Sequence, residues 1–327
     1  MTELSRSAPQ VSPKLGWLTS QTQLVLLVTL FALCLLISLA APQFYSVDNI
    51  IAILRQSSLV LIVAVGMTML LIAAEVDLSV GASLAFAGVV AMDVTNKTSS
   101  VTLGVMAGIL FGGGVGLING LIVTKLRINS LIATIAMMMM LQGSVYLYSR
   151  EAVQNKHLQP LFTWLSTGYV GPLPLPVVVT AVLFAIGYVV LRHTTLGRYV
   201  YAVGANEKAA RLSGIRPARI KMLVFIVTGL LTGLVGVILC SLMNAGQPTA
   251  GRGFELTVVA AVILGGTSLT GGRGTLLGTL LGVLILKVID NGIIILRWDQ
   301  DLQMVIPGFI IVIASYLDLL RKKSNAS

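Results

Sequence analysis

The stretch Arg192–Lys221 reads RHTTLGRYVYAVGANEKAARLSGIRPARIK and separates two long apolar runs, residues 173–191 and 222–242. It carries seven Lys or Arg residues against a single acid, Glu207. A segment this charged cannot lie in lipid, and Lys and Arg are enriched in the cytoplasmic loops of membrane proteins. The alternation of apolar run, basic segment and apolar run therefore predicts two membrane-crossing helices joined by a cytoplasmic loop.

The composition of the whole chain indicates a protein built inside a bilayer. Of its 327 residues, 56% are hydrophobic and 10% are charged, whereas a soluble domain has roughly 25% charged residues. A helix needs about 20 apolar residues to cross about 30 Å of hydrocarbon, and a barrel needs a strict apolar–polar alternation that this sequence lacks. We therefore predict an all-α, polytopic integral membrane protein.

Ten apolar runs are candidate spans, which puts both termini on the same side of the membrane. Of the 22 Lys and Arg residues, 15 fall on the side of Arg192–Lys221, six fall on the other side, and Lys287 falls inside a span. This bias predicts that both termini are cytoplasmic. The predicted spans are residues 24–41, 53–73, 79–95, 101–123, 129–149, 173–191, 222–242, 255–269, 275–296 and 303–320.

The spans form one predicted transmembrane domain, residues 24–320, which includes the cytoplasmic loop 192–221. Residues 1–23 and 321–327 are expected to be a cytoplasmic N-terminal segment and a cytoplasmic tail. The chain has no G-x-x-x-x-G-K-[ST] loop to hold a nucleotide phosphate. Any ATP that drives this protein must therefore be bound by another chain.

Charge and residue placement argue against several other functions. The net charge of +10 follows from the cytoplasmic loops and their attraction to anionic lipid, and no basic stripe is interleaved with aromatic residues as in nucleic-acid-binding proteins. His157 and His193 lie in loops without a nucleophile motif or a carboxylate pair, so we predict no catalytic centre. Cys34 and Cys240 lie in predicted spans and imply neither a disulfide nor a metal site.

Two glycine stripes predict close helix packing. In each stripe glycine recurs at every fourth residue, which puts the glycines on one helix face and lets a neighbouring helix approach closely. The predicted packing glycines are Gly104, Gly108, Gly112, Gly116 and Gly120 in one stripe, and Gly274, Gly278 and Gly282 in the other.

Two interrupted apolar segments resemble each other and predict a transport pathway. The stretch Ala74–Gly81 (AEVDLSVG) pairs with Gly265–Gly272 (GGTSLTGG), and each follows an apolar run and precedes a glycine-containing span. Paired interruptions of this kind mark the pathway between the two related halves of many transporters. The predicted pathway or gating residues are Glu75, Asp77, Ser79, Gly265, Gly266, Thr267 and Ser268.

The carboxylates of Glu75 and Asp77 leave three interpretations open. Ionisable groups near membrane depth face a cavity, pair with a base or mark a pathway. A proton relay would make the chain a secondary transporter, whereas a position at a span boundary, where water is available, indicates a hydrated structural break or a gating element. Lys287 and Arg55 are the only basic residues expected to pair with them inside the membrane.

The basic stretch also predicts a short surface helix with defined ends. Asn206 is a favourable N-cap followed by an acid, and Gly214 supplies a C-terminal stop. The helix, Glu207–Ser213, has a shallow face at Ala209 and Ala210 that a partner cleft can enclose, and the alternative is a loop held to anionic lipid by charge. The predicted docking residues are Gly197, Gly204, Asn206, Glu207, Ala209, Ala210, Arg211, Leu212, Ser213 and Gly214.

Six short segments, in order along the chain, carry a family resemblance. They are VGMT (65–68), DLSVG (77–81), TLGR (195–198), RLSGI (211–215), QPTAG (247–251) and LGGTSLTGG (264–272). These segments resemble the membrane permease subunits of bacterial ABC importers of the ribose, xylose and autoinducer type, in the branched-chain-transport-like permease family. The resemblance runs from about residue 42 to about residue 318.

Two features bear on how closely the chain follows that family. Glu207, Ala209-Ala210 and Gly214 are similar to the EAA loop that seats in the ATPase of such importers, although a lysine separates the glutamate from the alanines. Ala74-Glu75 stands where the family usually shows two glycines, and the resemblance therefore implies an altered pathway at that point.

The resemblance implies a permease that works with other chains. Two permease chains, this one with a second copy or a paralogue, would form the pathway in the bacterial inner membrane. ATPase subunits would bind ATP–Mg, with no cofactor in this chain, and an extracytoplasmic sugar-binding protein would deliver the substrate. Loop 150–172, with Trp164 and Tyr169, is the expected docking surface for that protein.

The expected function is therefore that of a non-enzymatic permease subunit in an ATP-driven importer. The substrate expected from the resemblance is a monosaccharide such as ribose or xylose, or a related furanosyl compound. One alternative is an ion-coupled secondary transporter that uses Glu75 or Asp77. Another is an ABC permease for branched-chain amino acids, which shares the coupling logic but fewer of the quoted segments.

Overall fold

The computed structural model describes residues 13–156 and 159–313, and nearly all regular structure in these ranges is helical. The helices are α1 (Pro13–Ala40), α2 (Val47–Ile72), α3 (Val80–Thr98), α4 (Val101–Thr124), α5 (Ser130–Tyr148), α6 (Pro160–Thr167), α7 (Leu175–His193), α8 (Thr195–Ala205), α9 (Glu207–Leu212), α10 (Pro217–Met243), α11 (Phe254–Leu264), α12 (Leu276–Ile295) and α13, described over Leu302–Ile313. A 3₁₀ helix covers Pro42–Tyr45, and two-residue strands are β1 (Val153–Gln154), β2 (Tyr169–Val170), β3 (Leu173–Pro174) and β4 (Ala245–Gly246). The prediction of an all-α fold is confirmed.

Polar side chains define where several of the long helices begin. Ser46 accepts a hydrogen bond from a first-turn N–H of α2 at 3.2 Å, and Ser100 does the same for α4 at 3.4 Å. Asn129 caps α5 at 2.9 Å and Thr275 caps α12 at 3.1 Å. These side chains satisfy backbone N–H groups that the helix itself leaves unpaired.

Seven helices within the described residues are long and apolar enough to cross a membrane: α1, α2, α4, α5, α7, α10 and α12. They correspond to seven of the ten predicted spans, so the prediction of a multi-pass helical membrane protein is confirmed. The count of ten spans is not confirmed, because the other three predicted spans correspond to α3, α11 and α13. The predicted span 303–320 extends beyond the described residues.

The prediction of one crossing helix over 255–269 is wrong. α11 has 11 residues, which gives about 16 Å of helix against about 30 Å of hydrocarbon. It ends because Gly266 takes a left-handed conformation with φ +88°, which glycine adopts without steric cost. The N–H of Thr267 then returns to the carbonyl of Val262 at 3.3 Å and closes the helix end.

A non-helical segment of β4 and successive turns, residues 245–253, precedes α11 and runs along α3. A Cβ added to Gly246 would lie 2.7 Å from the Cα of Val89, and one added to Gly251 would lie 1.9 Å from the carbonyl oxygen of Gly81. The segment 245–253 and α11 together therefore lead from the far end of α10 back toward the C-terminal end of α2.

Helix α3, the predicted span 79–95, is surrounded by protein. Thirteen of its 19 residues are buried, against α4, α5 and α10. Because neighbouring helices rather than lipid cover its sides, α3 carries buried polar residues such as Ser83 and Thr95. This explains why its sequence is less apolar than that of the other long helices.

The first glycine stripe lies where α4 meets α10 and α3. A Cβ on Gly112 would lie 2.3 Å from the carbonyl oxygen of Gly229, and one on Gly116 would lie 2.3 Å from that of Phe225. Gly104 and Gly108 lie in the same way against Ala91 and Ala87 of α3, and Gly120 faces Met222 and Phe225. The backbone of α4 therefore lies too close to α10 and α3 for larger residues at these positions.

The second stripe is shorter than the sequence suggested. Gly278 and Gly282 lie in α12, where an added Cβ would meet the carbonyl oxygens of Gly265 at 2.0 Å and Ala261 at 2.1 Å. Gly274 lies before the helix begins, with φ +158°, and contacts Thr267 instead. The prediction that Gly274 extends the stripe is wrong, because α12 starts only at Leu276.

Helix α10 connects two ends of the bundle. It begins five residues after α9 and ends beside α6, where the hydroxyl of Ser241 donates to the carbonyl of Phe162 at 2.5 Å. β4 follows α10 and pairs with β1, so the segment after α5 is fixed at that same end. We call these the α9 end and the α6 end.

Candidate docking and pathway site

Helix α9 forms where the sequence predicted a short capped helix. The side-chain oxygen of Asn206 accepts from the N–H of Ala209 at 3.0 Å. At the other end Gly214 has φ +83°, and the N–H of Ile215 donates to the carbonyl of Ala210 at 3.1 Å. This pair of caps explains why six residues suffice for a defined helix.

The exposed face of α9 differs from the predicted one. Ala210 is only 4% exposed, because it packs against its own chain. Ala209 is exposed, and Leu212, the last residue of the helix, is 91% exposed. The expectation that Ala209 and Ala210 together face a partner is therefore wrong for Ala210, and Leu212 is the apolar group that α9 offers to the outside.

Helix α8 was not predicted, and it contains two of the proposed docking glycines. A Cβ on Gly197 would lie 2.2 Å from the carbonyl oxygen of Leu191 in α7. A Cβ on Gly204 would lie 1.7 Å from the carbonyl oxygen of Ile72 and 2.8 Å from the nitrogen of Gly272. Both glycines are thus placed at contacts inside the chain, and Gly204 lies where α2 ends.

The interruption between α2 and α3, residues 73–79, is called here the first break. Ala74 has φ +60°, and the N–H of Glu75 donates to the carbonyl of Leu70 at 2.9 Å, which closes α2. Two side chains of α5 accept the next free N–H groups: Ser130 from Val76 at 3.3 Å and Thr134 from Leu78 at 3.1 Å. The irregular backbone is therefore satisfied by protein.

Asp77 is held in place by neutral groups. Its carboxylate accepts from the backbone N–H and the hydroxyl of Ser79, at 2.8 Å and 2.6 Å. The side-chain amide of Asn119, in α4, donates to Asp77 at 3.2 Å and to Ser79 at 2.9 Å. All three residues are buried, so this network fixes the start of α3 against α4.

Glu75 is held by a charge instead. Its carboxylate lies 2.6 Å from the ammonium of Lys221 in the first turns of α10, and the same ammonium lies 2.8 Å from Glu207 of α9. The prediction that Lys287 or Arg55 pairs with the carboxylates of the first break is wrong. Lys287 pairs with Asp290 at 2.7 Å, and Arg55 donates to the hydroxyl of Tyr169 at 3.3 Å.

Glu207 lies at the α9 end of this ion-pair chain, between Lys221 and Arg211. The hydrogen bond from Lys221 lowers the pKa of the Glu207 carboxyl below its ordinary value, and Arg211, 3.1 Å away, lowers it further. Glu207 is therefore ionised throughout the physiological range.

The interruption between α11 and α12, residues 265–275, is called the second break. In this break the N–H of Gly272 donates to the carbonyl of Ile72, the last residue of α2, at 2.8 Å. The two breaks are therefore in contact. Thr267 is buried, and its hydroxyl has no hydrogen-bond partner within the described part of the chain. Ser268 and Thr270 are joined through their hydroxyls at 3.0 Å. The structure thus brings the predicted pathway residues of both breaks to the α9 end.

A groove of about 880 Å³ opens at the α9 end between α9, the start of α10 and the turn from α4 to α5. Its lining includes Glu75, Glu207 and six basic residues. Among the described residues, two of those six form ion pairs, and both pair with these glutamates. The basic lining residues are Lys125, Arg127, Arg211, Arg216, Arg219 and Lys221. The groove therefore presents a net positive surface beside α9.

At the α6 end, the predicted docking loop is partly ordered into α6. Phe162 is fully buried, whereas Trp164 is 45% exposed and Tyr169 is 50% exposed. The guanidinium of Arg55 lies over the Tyr169 ring, 5.8 Å from its centre. The two aromatic side chains that the sequence singled out thus lie at the surface, on a segment that Phe162 anchors.

The sequence analysis does not identify Lys221 or Asn119 as partners in this site. Lys221 belongs to the basic stretch, and its position at the start of an apolar run is the signal for its partial burial. Asn119 is a lone polar residue in an apolar span. The α10 glycines Gly229 and Gly233 match the α4 stripe, and their spacing of four residues was the available signal.

Comparison with known proteins gives long matches. The family described as branched-chain amino acid transport system, permease component, matches residues 49–315. The ribose import permease protein RbsC of Escherichia coli (strain K12) is 39% identical over 306 residues, which cover 93% of this chain and 94% of that protein. RbsC of Bacillus subtilis (strain 168) is 39% identical over 296 residues, covering 90% and 91%.

A further relative is the L-arabinose transport system permease protein AraH of Escherichia coli (strain K12), 36% identical over 319 residues, or 97% of this chain and 96% of that protein. No solved structure matches the chain. The long apolar helices and these bacterial relatives identify a multi-pass protein of the bacterial inner membrane. The chain belongs to the family of branched-chain amino acid transport system permease components.

Proposed function

We propose that this chain is the membrane permease of an ATP-driven importer for a monosaccharide such as ribose or xylose, or a related furanosyl compound. It pairs with a second copy or a paralogue to form the pathway, and an extracytoplasmic sugar-binding protein delivers the substrate to the α6 end. ATP–Mg is bound and hydrolysed by a separate ATPase chain that docks on α9. The permease itself carries no cofactor.

The observation that carries the proposal is α9 itself. It is a short helix capped at both ends, it offers the 91% exposed Leu212 to the outside, and it borders a positively charged groove. An exposed leucine beside uncompensated cations fits a protein cleft with an acidic rim.

The proposed topology has ten crossings with both termini in the cytoplasm, and residues 24–320 form one domain. Seven of these crossings are the long helices. The other three are α3, α13, and the segment 245–253 together with α11. A short helix preceded by non-helical chain is a common element of transport pathways. The basic residues at the α9 end then lie in the cytoplasm.

A sugar substrate is favoured over a branched-chain amino acid by the relatives. The proteins named for ribose and arabinose match this chain over at least nine-tenths of its length. A secondary transporter is not favoured, because Glu75 is paired with Lys221 and Asp77 is held by Ser79 and Asn119. Neither carboxylate is free to carry a proton through the bilayer without breaking these contacts.

The test is the substitution Leu212→Asp, with Leu161→Asp in α6 as a matched control because Leu161 is also exposed, at 56%. We expect Leu212→Asp to leave membrane abundance unchanged and to reduce co-purification of the ATPase chain by at least about tenfold, which corresponds to about 1.4 kcal/mol. Leu161→Asp should leave ATPase binding intact. Equal ATPase binding by wild type and Leu212→Asp would refute the docking role of α9.

A further inference from the structure

Glu75, Lys221 and Glu207 form an unbroken chain of ion pairs from α9 to the first break. The ammonium of Lys221 lies 2.6 Å from one carboxylate and 2.8 Å from the other. Glu75 is 8% exposed and the Lys221 side chain is 15% exposed, so their charges are largely removed from water. A buried charge is tolerated only with its partner in place, which makes this contact restrictive in distance and direction.

Each member of the chain belongs to a different structural element. Glu75 directly follows the turn that closes α2, Lys221 lies in the first turns of α10, and Glu207 is the first residue of α9. A displacement of α9 therefore moves Glu207, and Lys221 must either follow it or leave Glu75 unpaired. Because the second alternative leaves a largely buried carboxylate without the ammonium that pairs with it, the three elements are expected to move together.

The first break is also joined to the second. The carbonyl of Ile72, at the end of α2, accepts from Gly272 at 2.8 Å and lies against Gly204 of α8. A motion that reaches Glu75 thus reaches the backbone at which both breaks and α8 meet. Asp77 takes no part in the ion-pair chain, because its partners are Ser79 and Asn119.

We infer that Glu75 is a positioning residue which, acting through Lys221 and Glu207, transmits the position of α9 to the two breaks of the pathway. This inference rests on the proposed function, since it assigns to α9 the docking of the ATPase. The inference assigns two steps to different residues. Helix α9 docks the ATPase, and the ion-pair chain transmits the resulting displacement of α9 to the two breaks.

The first test is Glu75→Gln, which keeps the shape of the side chain and removes its charge. Lys221 then retains Glu207, so α9 keeps its cap and its anchor on α10. We expect normal membrane abundance, normal co-purification of the ATPase chain, and ATP hydrolysis by the complex within about twofold of wild type. Uptake of labelled ribose into proteoliposomes, counted per ATP hydrolysed, should fall by at least about tenfold.

A matched control is Asp93→Asn, the same change of acid to amide in an ion pair near the end of α3. Asp93 lies 2.7 Å from Lys97; the side chain of Lys97 is 70% exposed and that of Asp93 is 19% exposed. An ion pair whose cation is open to solvent contributes little, so this variant should keep the uptake per ATP of wild type. A loss of the same size in the control would show that the assay responds to any lost ion pair and would overturn the inference.

A second test combines Glu75→Gln with Glu207→Gln. If both act along one chain through Lys221, the double variant should lose no more uptake per ATP than the more affected single variant, because either change cuts the same link. Independent roles would multiply the two losses, and that result would overturn the inference. Glu75→Asp, which restores the charge, should recover most of the uptake.

The outcomes separate the inference from the proposed function. A wild-type chain that neither binds the ATPase nor takes up ribose with ATP would refute the proposed function, and the inference with it. A wild-type chain that does both, together with full uptake per ATP in Glu75→Gln, would refute the inference alone. Reduced abundance in Glu75→Gln, with hydrolysis and uptake lost in proportion, would assign Glu75 a purely structural role.

Discussion

The first and second breaks end their helices with the same backbone turn but are held by different chemistry. In the first, Ala74 takes the left-handed conformation and Glu75 closes the turn; in the second, Gly266 and Thr267 do so. The first break is then fixed by a buried ion pair and a carboxylate network, whereas the second is fixed by backbone contact at Gly265. The turn sets the fold at both places, and the side chains decide what each break can transmit.

The shared turn also corrects the internal repeat. The sequence pairing placed Ala74 opposite Gly265, but the matching left-handed residues are Ala74 and Gly266. The structural correspondence is therefore shifted by one residue. It also puts Ala74 in the left-handed conformation, which glycine adopts without steric cost.

Overpacking the second break should have the greatest effect on the amount of folded protein. A Cβ on Gly278 would lie 2.0 Å from the carbonyl oxygen of Gly265, so Gly278→Val should force α11 and α12 apart. Overpacking of this kind costs about 1–3 kcal/mol or more, and we expect at least fivefold less folded protein in the membrane. Gly114→Val is the control, because nothing lies within 4 Å of a Cβ there. Equal abundance of the two variants would show that the second break does not depend on this contact.

Loss of the hydrogen bond between Asp77 and Asn119 should destabilise the first break to a lesser extent. In Asp77→Asn the new amide would face the donating amide of Asn119, and a buried donor left unpaired costs about 1–3 kcal/mol. We expect a corresponding fall in the thermal midpoint of the purified protein. Adding Asn119→Asp reverses donor and acceptor and should restore most of the loss. A double variant as unstable as the sum of the two singles would exclude the hydrogen bond as the cause.

A smaller, opposite pair of effects compares the two turns directly. Ala74 carries the left-handed conformation at φ +60°, at a cost of roughly 1–2 kcal/mol for a residue other than glycine. Part of this is offset by the flexibility that glycine adds to the unfolded chain, so Ala74→Gly should stabilise by about 0.5–1 kcal/mol. Gly266→Ala should destabilise by a similar amount. The thermal midpoints of both variants in detergent measure these changes in stability. A shift in the same direction for both variants would contradict the shared turn.

The smallest effect is a pH dependence that should appear only on the side of the first break. The pKa of Glu207 is lowered from 4.5 by Lys221 and then by Arg211. A lowered pKa means that the carboxylate stabilises the fold fully above its ordinary value and loses this contribution as the pH falls through the lowered value. The difference in thermal midpoint between wild type and Glu207→Gln should therefore be constant from pH 8 to pH 5 and shrink below about pH 4.5. A difference that shrinks between pH 8 and pH 6 would contradict the ion-pair chain.

The sequence predicted those features that depend on local chemistry. Asn206 and Gly214 define both ends of α9 through contacts within a few residues, and the apolar runs identify the seven long helices. The glycine spacing in α4 pointed to close packing because it reports one face of one helix. What such patterns cannot give is the identity of a distant partner.

The missed features all depend on contacts between elements far apart in the chain. Lys221 lies 146 positions from Glu75, and no local pattern joins them. The length of α11 was missed because its apolar run continues past Leu264, while the turn at Gly266 ends the helix. The burial of Ala210 follows from how α9 lies on the chain, which spacing within α9 does not fix.

The energy source of uptake in proteoliposomes distinguishes a permease that needs an ATPase from a self-sufficient transporter. We expect labelled ribose to enter only when this chain is reconstituted with its ATPase chain and sugar-binding protein in the presence of ATP. The isolated chain should hydrolyse no ATP and should show no uptake under a proton gradient. Uptake by the isolated chain that is driven by a proton gradient and abolished by Asp77→Asn would contradict this expectation and identify a secondary transporter.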